Sequence, residues 1–255
     1  MNPTIIALIV FVCVFGGALL GMLLRVVMPE HHLNEDSKDV IKLGMGLIAT
    51  IAALVLGLVI ASAKSTYDTQ DSAIKHAAAK ILLLDRLLTQ YGPETEETRT
   101  LIRRAVAERL DRIWPEERPH TATNLDTPEA APTANAELEF RLWQLTPKND
   151  AQRGLQARAL HIGGEIMETR WFVLGASGGS VPLPFLIVVV FWLTIIFVSF
   201  GIFAPRNSTV IAVLLVCALS VACAIFLILE MDQPFTGMMK ISSAPLRYTL
   251  SHLVQ

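Results

Sequence analysis

Residues able to bind, ionise or cleave are few in this chain, and most stand at the edges of apolar runs. His31 and His32, with Glu30, Glu35 and Asp36 nearby, are the one cluster with metal-ligand chemistry, imidazole nitrogens beside carboxylates. The same run also fits a solvated acidic loop. Cys13, Cys217 and Cys223 sit inside apolar stretches with no ligand spacing, so they read as small packing residues. There is no glycine-rich phosphate loop, no His-Glu-x-x-His and no nucleophile elbow. His76 and His161 fall within helical periodicity and read as packing or surface residues. With no nucleophile–base pair in view, the chain is not expected to be an enzyme, and no catalytic residue, metal or cofactor is assigned.

Charges at the ends of the apolar runs say more. Lys64 follows one such run directly and leads into Ser65-Thr66-Tyr67-Asp68. It can snorkel to lipid head groups, or it can line a vestibule that attracts anions. Glu230 and Asp232 close another run, before Asp232-Gln233-Pro234-Phe235-Thr236-Gly237. Pro234 stops a helix and Gly237 permits a tight turn. Ser242-Ser243-Ala244-Pro245-Leu246 then offers hydroxyl and backbone donors, or forms a tail folded back on a helical domain.

The elements behind these charges follow from how the charge is distributed. Of 255 residues, 53% are hydrophobic and 17% charged, with a net charge of −2. Residues 64–181 hold 15 of the 21 Lys/Arg and 17 of the 23 Asp/Glu, about 27% of that segment, against about 9% elsewhere. The middle has the composition of a soluble domain and the two ends do not. A single soluble globule and a fully disordered chain are both excluded. No basic patch large enough for nucleic acid is present.

A helix needs about 20 apolar residues to cross the bilayer core. Thr4–Leu24, Leu43–Ala63, Pro182–Phe203 and Val210–Leu229 all qualify. The first lacks the basic start and small-residue cleavage site of a signal peptide, so it is read as a true span. Four spans put both termini and the middle segment on one side. Arg25, Lys38, Lys42 and Arg206 lie on the other, and the remaining 17 Lys/Arg predict a cytoplasmic middle domain and termini in a multi-pass membrane protein. Residues 1–63 are thus transmembrane helices 1 and 2 with a short outer loop. Residues 64–181 form a cytoplasmic helical domain, 182–229 helices 3 and 4, and 230–255 a cytoplasmic tail.

No Gly or Pro interrupts Ser65–Tyr91, and Ile74, Ala77, Ile81, Leu84 and Leu88 recur at helical spacing, so the second span is expected to run on to Tyr91. Gly92-Pro93 ends it and starts a helix with Ile102, Val106, Leu110 and Ile113 on its apolar stripe. Pro115–Thr133 reads as a flexible loop. Leu138, Leu142 and Leu145 mark a short helix. Leu155, Ala159, Ile162 and Ile166 mark another, capped by Asn149 or Asp150. Trp171 and Phe172 stand where an interfacial anchor belongs. The fold class is all-α.

Several of these stretches resemble a known family. Ala61-Ser62-Ala63-Lys64-Ser65-Thr66-Tyr67-Asp68, Asp85-Arg86-Leu87-Leu88-x-x-Tyr91-Gly92-Pro93, Asp232-Gln233-Pro234-Phe235-x-Gly237 and Ile241-Ser242-Ser243-x-Pro245-Leu246 are similar to the bestrophin-like family of bacterial membrane proteins, whose shared domain is one of unknown function. The C-terminal motif, with Asp232, Pro234, Phe235, Gly237, Ser242, Ser243 and Pro245, is the most specific part. The resemblance implies the layout of bestrophins, pentameric anion channels with four spans and a cytosolic helical domain. Bestrophin necks use aromatic residues, and none stands between Leu43 and Ala63 here.

The spans are almost free of ionisable residues, which argues against a coupled carrier and leaves a pore with an apolar constriction. Gly44, Gly46, Ala49, Thr50, Ala52, Ala53 and Gly57 would let the second span approach other helices closely. Ile48, Ile51 and Val55 form a candidate apolar ring, with Lys64 at its mouth. An oligomeric channel in the lipid bilayer, passing inorganic ions and with an anion preference by resemblance, is the expected function. The alternative is a non-conducting scaffold or sensor that binds a partner through residues 64–181.

Overall fold

The computed structural model describes residues 2–27, 35–117, 130–175, 183–205, 207–235 and 237–253; the side chains of 35–38, 130–136 and 170–175 fall outside that description. Eight α-helices are described: α1 Pro3–Val27, α2 Glu35–Tyr91, α3 Glu96–Ile113, α4 Ala130–Gln144, α5 Asp150–Gly175, α6 Leu183–Phe203, α7 Ser208–Met231 and α8 Ala244–His252. Short 3₁₀ turns occupy Pro93–Thr95 and Pro115–Glu117. Among the described residues there is no strand. The chain divides into two compact units, Met1–Tyr67 with Gly179–Met239, and Asp68–Gly178 with Lys240–Gln255.

The first unit holds the apolar segments. The helices α1, α2, α6 and α7 are each long and apolar enough to cross a membrane. Here α1 packs on both α6 and α7, around Val10, Val14, Ala18, Leu186, Phe197 and Ile225. In lipid the drive for such packing is close van der Waals fit rather than removal from water. Gly17 supplies part of that fit, since a Cβ there would lie 3.1 Å from the Thr194 methyl. Polar groups finish the helix ends. The Arg25 guanidinium donates to the Ala204 carbonyl at the end of α6, where the helix dipole favours a cation. The Asn207 side chain caps α7 by accepting from the Thr209 backbone N–H.

The second unit is a polar bundle. From α2 it takes Ile74, Ala78, Ile81, Leu84, Leu87 and Leu88, all buried. From α3 it takes Ile102, Val106, Leu110 and Trp114, and from α4 and α5 Leu142, Ala159 and Ile162. Trp114, beyond the predicted stripe, is buried, whereas Ile113 is only half-buried. α2 ends at Tyr91 because Gly92 takes φ +137°, a backbone setting that L side chains rarely adopt. Its last carbonyls do not go unpaired. The Thr95 hydroxyl donates to the Leu88 carbonyl at 2.7 Å, and the Gln152 amide to the Tyr91 carbonyl at 2.8 Å.

Three boundaries differ from expectation. α2 begins at Glu35, ahead of the apolar run at Leu43, because a helix can start in polar residues; Lys42 and Asp39 pair there at 3.1 Å. The expected loop 115–133 is helical at both edges, a 3₁₀ turn at Pro115–Glu117 and α4 from Ala130. Pro132 falls in the first turn of α4, where its missing N–H costs nothing. Residues 240–253, expected as a tail, belong to the second unit and contain α8.

Candidate functional site

Of the chemistry-bearing residues, His31, His32 and Glu30 and the side chains of Glu35, Asp36, Trp171 and Phe172 lie outside the described residues. His76 and His161 are exposed, as are the three cysteines. Among the described residues, no three His, Cys, Asp or Glu side chains gather where they could hold a metal ion.

The apolar part of α2 carries the expected ring. Met45, Ala52 and Ala63 are buried and define the face turned to the rest of the chain. Ile48 and Val55 are half-buried beside Ala52, while Ile51, a quarter-turn away, is 40% exposed. Lys64, at the end of this stretch, is exposed, with its ammonium 5.6 Å from the centroid of the Tyr67 ring, a cation–π distance. The freest apolar stripe is one that the sequence did not single out, Leu43, Leu47, Leu54 and Leu58. Beside it the positions of Gly44, Gly46 and Gly57 face open space, with nothing within 4 Å of where a Cβ would stand. The most apolar window of α2 is only 6% buried, against 28–33% in the other three membrane-length helices. One chain thus leaves most of this surface uncovered.

The C-terminal motif divides into two devices. In the first unit α7 closes at Glu230, which is 4% exposed. Its carboxylate is not left unpaired, since the Met238 backbone N–H donates to it at 2.6 Å. Asp232 caps the helix and Pro234 is buried next to it. Gly237 takes φ +99°, and a Cβ there would run into the Glu230 carboxylate. The motif therefore needs both a helix-stopping proline and a residue without a side chain, so that the chain can fold back over Glu230.

In the second unit, Ser243 is buried and its hydroxyl donates to Glu117. Arg247 donates to the Ser243 hydroxyl at 3.1 Å and to the Glu117 carbonyl at 2.8 Å. Ser242 accepts the Ala244 N–H at 3.2 Å at the start of α8, and Pro245 stands in its first turn. The Trp114 indole donates to the Ile241 carbonyl at 2.9 Å, and Arg103 donates to the Leu253 carbonyl at 3.1 Å. Apart from the Ser242 hydroxyl, which is bonded locally, these groups tie the segment to α3 and to the 3₁₀ turn that follows it. Sequence reasoning offered a folded-back tail as one of two readings; it missed Arg103, Trp114 and Glu117, which sit on another element.

Two further ion pairs of the polar unit join separate elements. Arg99 donates through Nε to Asp85 at 2.8 Å, which holds the guanidinium pKa above its ordinary value. The Lys148 ammonium donates to Glu94; this hydrogen bond pushes the Glu94 carboxyl down and Lys148 up.

The Bestrophin-like domain matches residues 12–246. A bacterial bestrophin homologue from Klebsiella pneumoniae shares the fold. One single-site variant of it aligns at a TM-score of 0.65 and 12% identity over 94% of this chain and 97% of that one. A second aligns at 0.66 and 12% identity over 96% and 99%. A solved variant of a membrane protein aligns at 0.65 and 12% identity, over 96% of this chain and 97% of that one. No curated protein matches the chain. With four membrane-length helices in an all-α chain of this fold, and with the domain matched from the first helix to the start of α8, the chain belongs to the Bestrophin-like family.

Proposed function

We propose that the chain is an oligomeric membrane channel whose α2 helices surround the conduction path. The observation that carries it is the exposure of α2. Its apolar window is 6% buried in one chain, and the glycine positions along it are open. Copies arranged about an axis would cover part of that surface and leave part to face ions. Within Leu43–Ala63 there is no ionisable residue, so the path is narrowed by apolar side chains that gate through their own dryness. Ile51, the exposed member of the candidate ring, stands at the constriction, with Ile48 and Val55 flanking it. Lys64 gives the mouth a positive charge, and the preference is for anions. Residues 64–181 form a cytoplasmic domain between helices 2 and 3, both termini are cytoplasmic, the membrane is the bacterial inner membrane, and the assembly is a pentamer as in bestrophins.

Purified protein in liposomes tests this. Chloride and sodium flux are each measured against protein-free vesicles, and a failure to conduct either ion overturns the reading.

A second reading has one observation in its favour. Phe140 and Trp143, three residues apart on α4, are both exposed in the polar unit. Two bare aromatic rings suit a docking site, and a non-conducting scaffold that holds one fixed partner there would show no flux.

A further inference from the structure

Two apolar surfaces of the first unit match each other. One is a groove of about 680 Å³ between α1 and α6, running from Ile6 to Leu20 on one helix and from Leu183 to Val198 on the other. Cys13 and Phe191 stand midway along its walls. The Thr194 hydroxyl in its lining donates back to the Val190 carbonyl at 2.7 Å, so it is already used within its own helix. At about 1.5 Å per residue the groove is about 21 Å long.

The other is the leucine ridge of α2. Leu43, Leu47, Leu54 and Leu58 are 64–76% exposed. At about 100° per residue they share an arc of about 60°, and the ridge is about 22 Å long. The buried Met45, Ala52 and Ala63 lie on the opposite side of the helix, so the chain does not cover its own ridge. Gly46 and Gly57 flank the ridge with nothing within 4 Å of their Cβ positions, which leaves room for another helix to come close.

The two surfaces also stand at one depth. Consecutive spans cross a bilayer in opposite directions. α1 and α6, the first and third, accordingly run parallel, with Gly17 beside Thr194 and Gly21 beside Val198. The span Thr4–Leu24 is centred on Val14, and Leu43–Ala63 on Ala53. One residue before the first centre is Cys13, and one residue after the second is Leu54, so those two share a level.

We propose that the leucine ridge of one copy seats in the α1–α6 groove of the next. In a bilayer, close fit and the release of lipid chains drive helix association. A stiff ridge of matching length fills the groove without ordering a flexible acyl chain. Groove and ridge are different surfaces, so the contact is heterologous, and copies standing the same way up in the membrane repeat it around an axis until a ring closes. The inference rests on the oligomer of the channel reading and names the contact that builds it.

Cysteine crosslinking of the full chain in the membranes of expressing cells tests this. Cys13 is already in the groove, and Cys217 and Cys223 on α7 are replaced by Ala. A disulfide needs Cα atoms within about 7 Å. With Leu54→Cys, oxidation by copper phenanthroline is expected to move the monomer band into a ladder that passes beyond the dimer, because each chain carries both partners. Cys13→Ala should abolish the ladder, and Ala52→Cys, on the buried face, should not produce one. Should Leu54→Cys fail to fold, Ile9→Cys with Leu58→Cys on the Cys13→Ala background probes the same contact one turn along. Monomer only, which leaves the groove to lipid, a ladder that stops at the dimer, or an equal ladder from Ala52→Cys each overturns the proposal. Flux without a ladder removes this contact and leaves the channel, and a ladder without flux does the reverse.

Discussion

Gly21 of α1 and Gly201 of α6 are set into each other's helices: the bare side of Gly21 rests on the Val198 carbonyl, and that of Gly201 on the Ala18 carbonyl. A backbone carbonyl cannot rotate away from an added methyl group as a side chain can. Gly21→Ala or Gly201→Ala is therefore expected to force the helices apart, at a cost of about 1–3 kcal/mol. Gly16→Ala is the control, since nothing lies within 4 Å of its position. Unfolding midpoints in detergent check this: both contact variants fall, and Gly16→Ala holds or rises.

Glu230 and the turn above it make a second case. Gly237→Ala must carry a side chain at φ +99° and meet the Glu230 carboxylate. The expected loss is about 1–3 kcal/mol from the backbone conformation alone. Glu230→Gln keeps an acceptor for the Met238 N–H, whereas Glu230→Leu leaves that N–H unpaired. Leu should cost about 1–3 kcal/mol more than Gln, again read from unfolding midpoints.

The Arg99–Asp85 pair is mostly shielded from water, with side-chain exposures of 15% and 11%. Arg99→Met leaves the Asp85 carboxylate shielded and without its guanidinium. The expected destabilisation is about 3 kcal/mol, near the lower end for breaking a buried pair. A double variant that also replaces Asp85 with Leu should recover part of it. A double variant no more stable than Arg99→Met would refute the desolvation argument.

How far these features could be read in advance depends on their range along the chain. The four membrane helices follow from length and charge alone, and Gly92-Pro93 fixes the end of α2 through local backbone chemistry. The α3 stripe Ile102, Val106 and Leu110 is likewise a matter of period. The start of α2 at Glu35 and of α4 at Ala130 was not legible, because polar residues and an early proline are as compatible with a first turn as with a loop. The sequence marks Ser243 as a donor, but its partner Glu117 lies 126 positions away and nothing local points to it. The face of α2 that turns inward was equally hidden. Small and β-branched residues surround the whole helix, and only the buried set of Met45, Ala52 and Ala63 breaks the tie.

Acid and alkali should each remove the Glu94–Lys148 link. The Glu94 carboxyl is lowered from its ordinary value of 4.5 by the Lys148 hydrogen bond. Its contribution is therefore complete above that value and is lost as pH falls through the lowered one. Lys148 is raised from 10.5 by the same partner, so its contribution is complete below that value and is lost at still higher pH. Between those limits, Glu94→Gln and wild type should differ by a constant amount in unfolding midpoint. The gap should close at either extreme, and a gap that varies across neutral pH would refute the assignment.

On the channel reading, a polar residue at the constriction wets it. Ile51→Asn is expected to raise ion flux severalfold over wild type in liposomes, while the same change at Ala53, which at two residues on lies about 200° around the helix from Ile51, should do much less. Lys64→Glu is expected to lower chloride flux relative to sodium flux. Equal flux ratios before and after that charge reversal would remove Lys64 from the path.

The strap formed by Ile241 and α8 has a consequence for biosynthesis. The polar unit is discontinuous along the chain, and the Trp114 and Arg103 donors find their carbonyls 127 and 150 positions later. A ribosome delivers α2 to α5 first, then two further apolar helices, and only afterwards the segment that completes the bundle. Until that moment the indole and guanidinium groups face water, and the α3 surface beneath α8 is bare. A nascent chain that stalls before residue 241 thus displays an unfinished, sticky domain to the cell's chaperones and proteases, while a finished chain hides it.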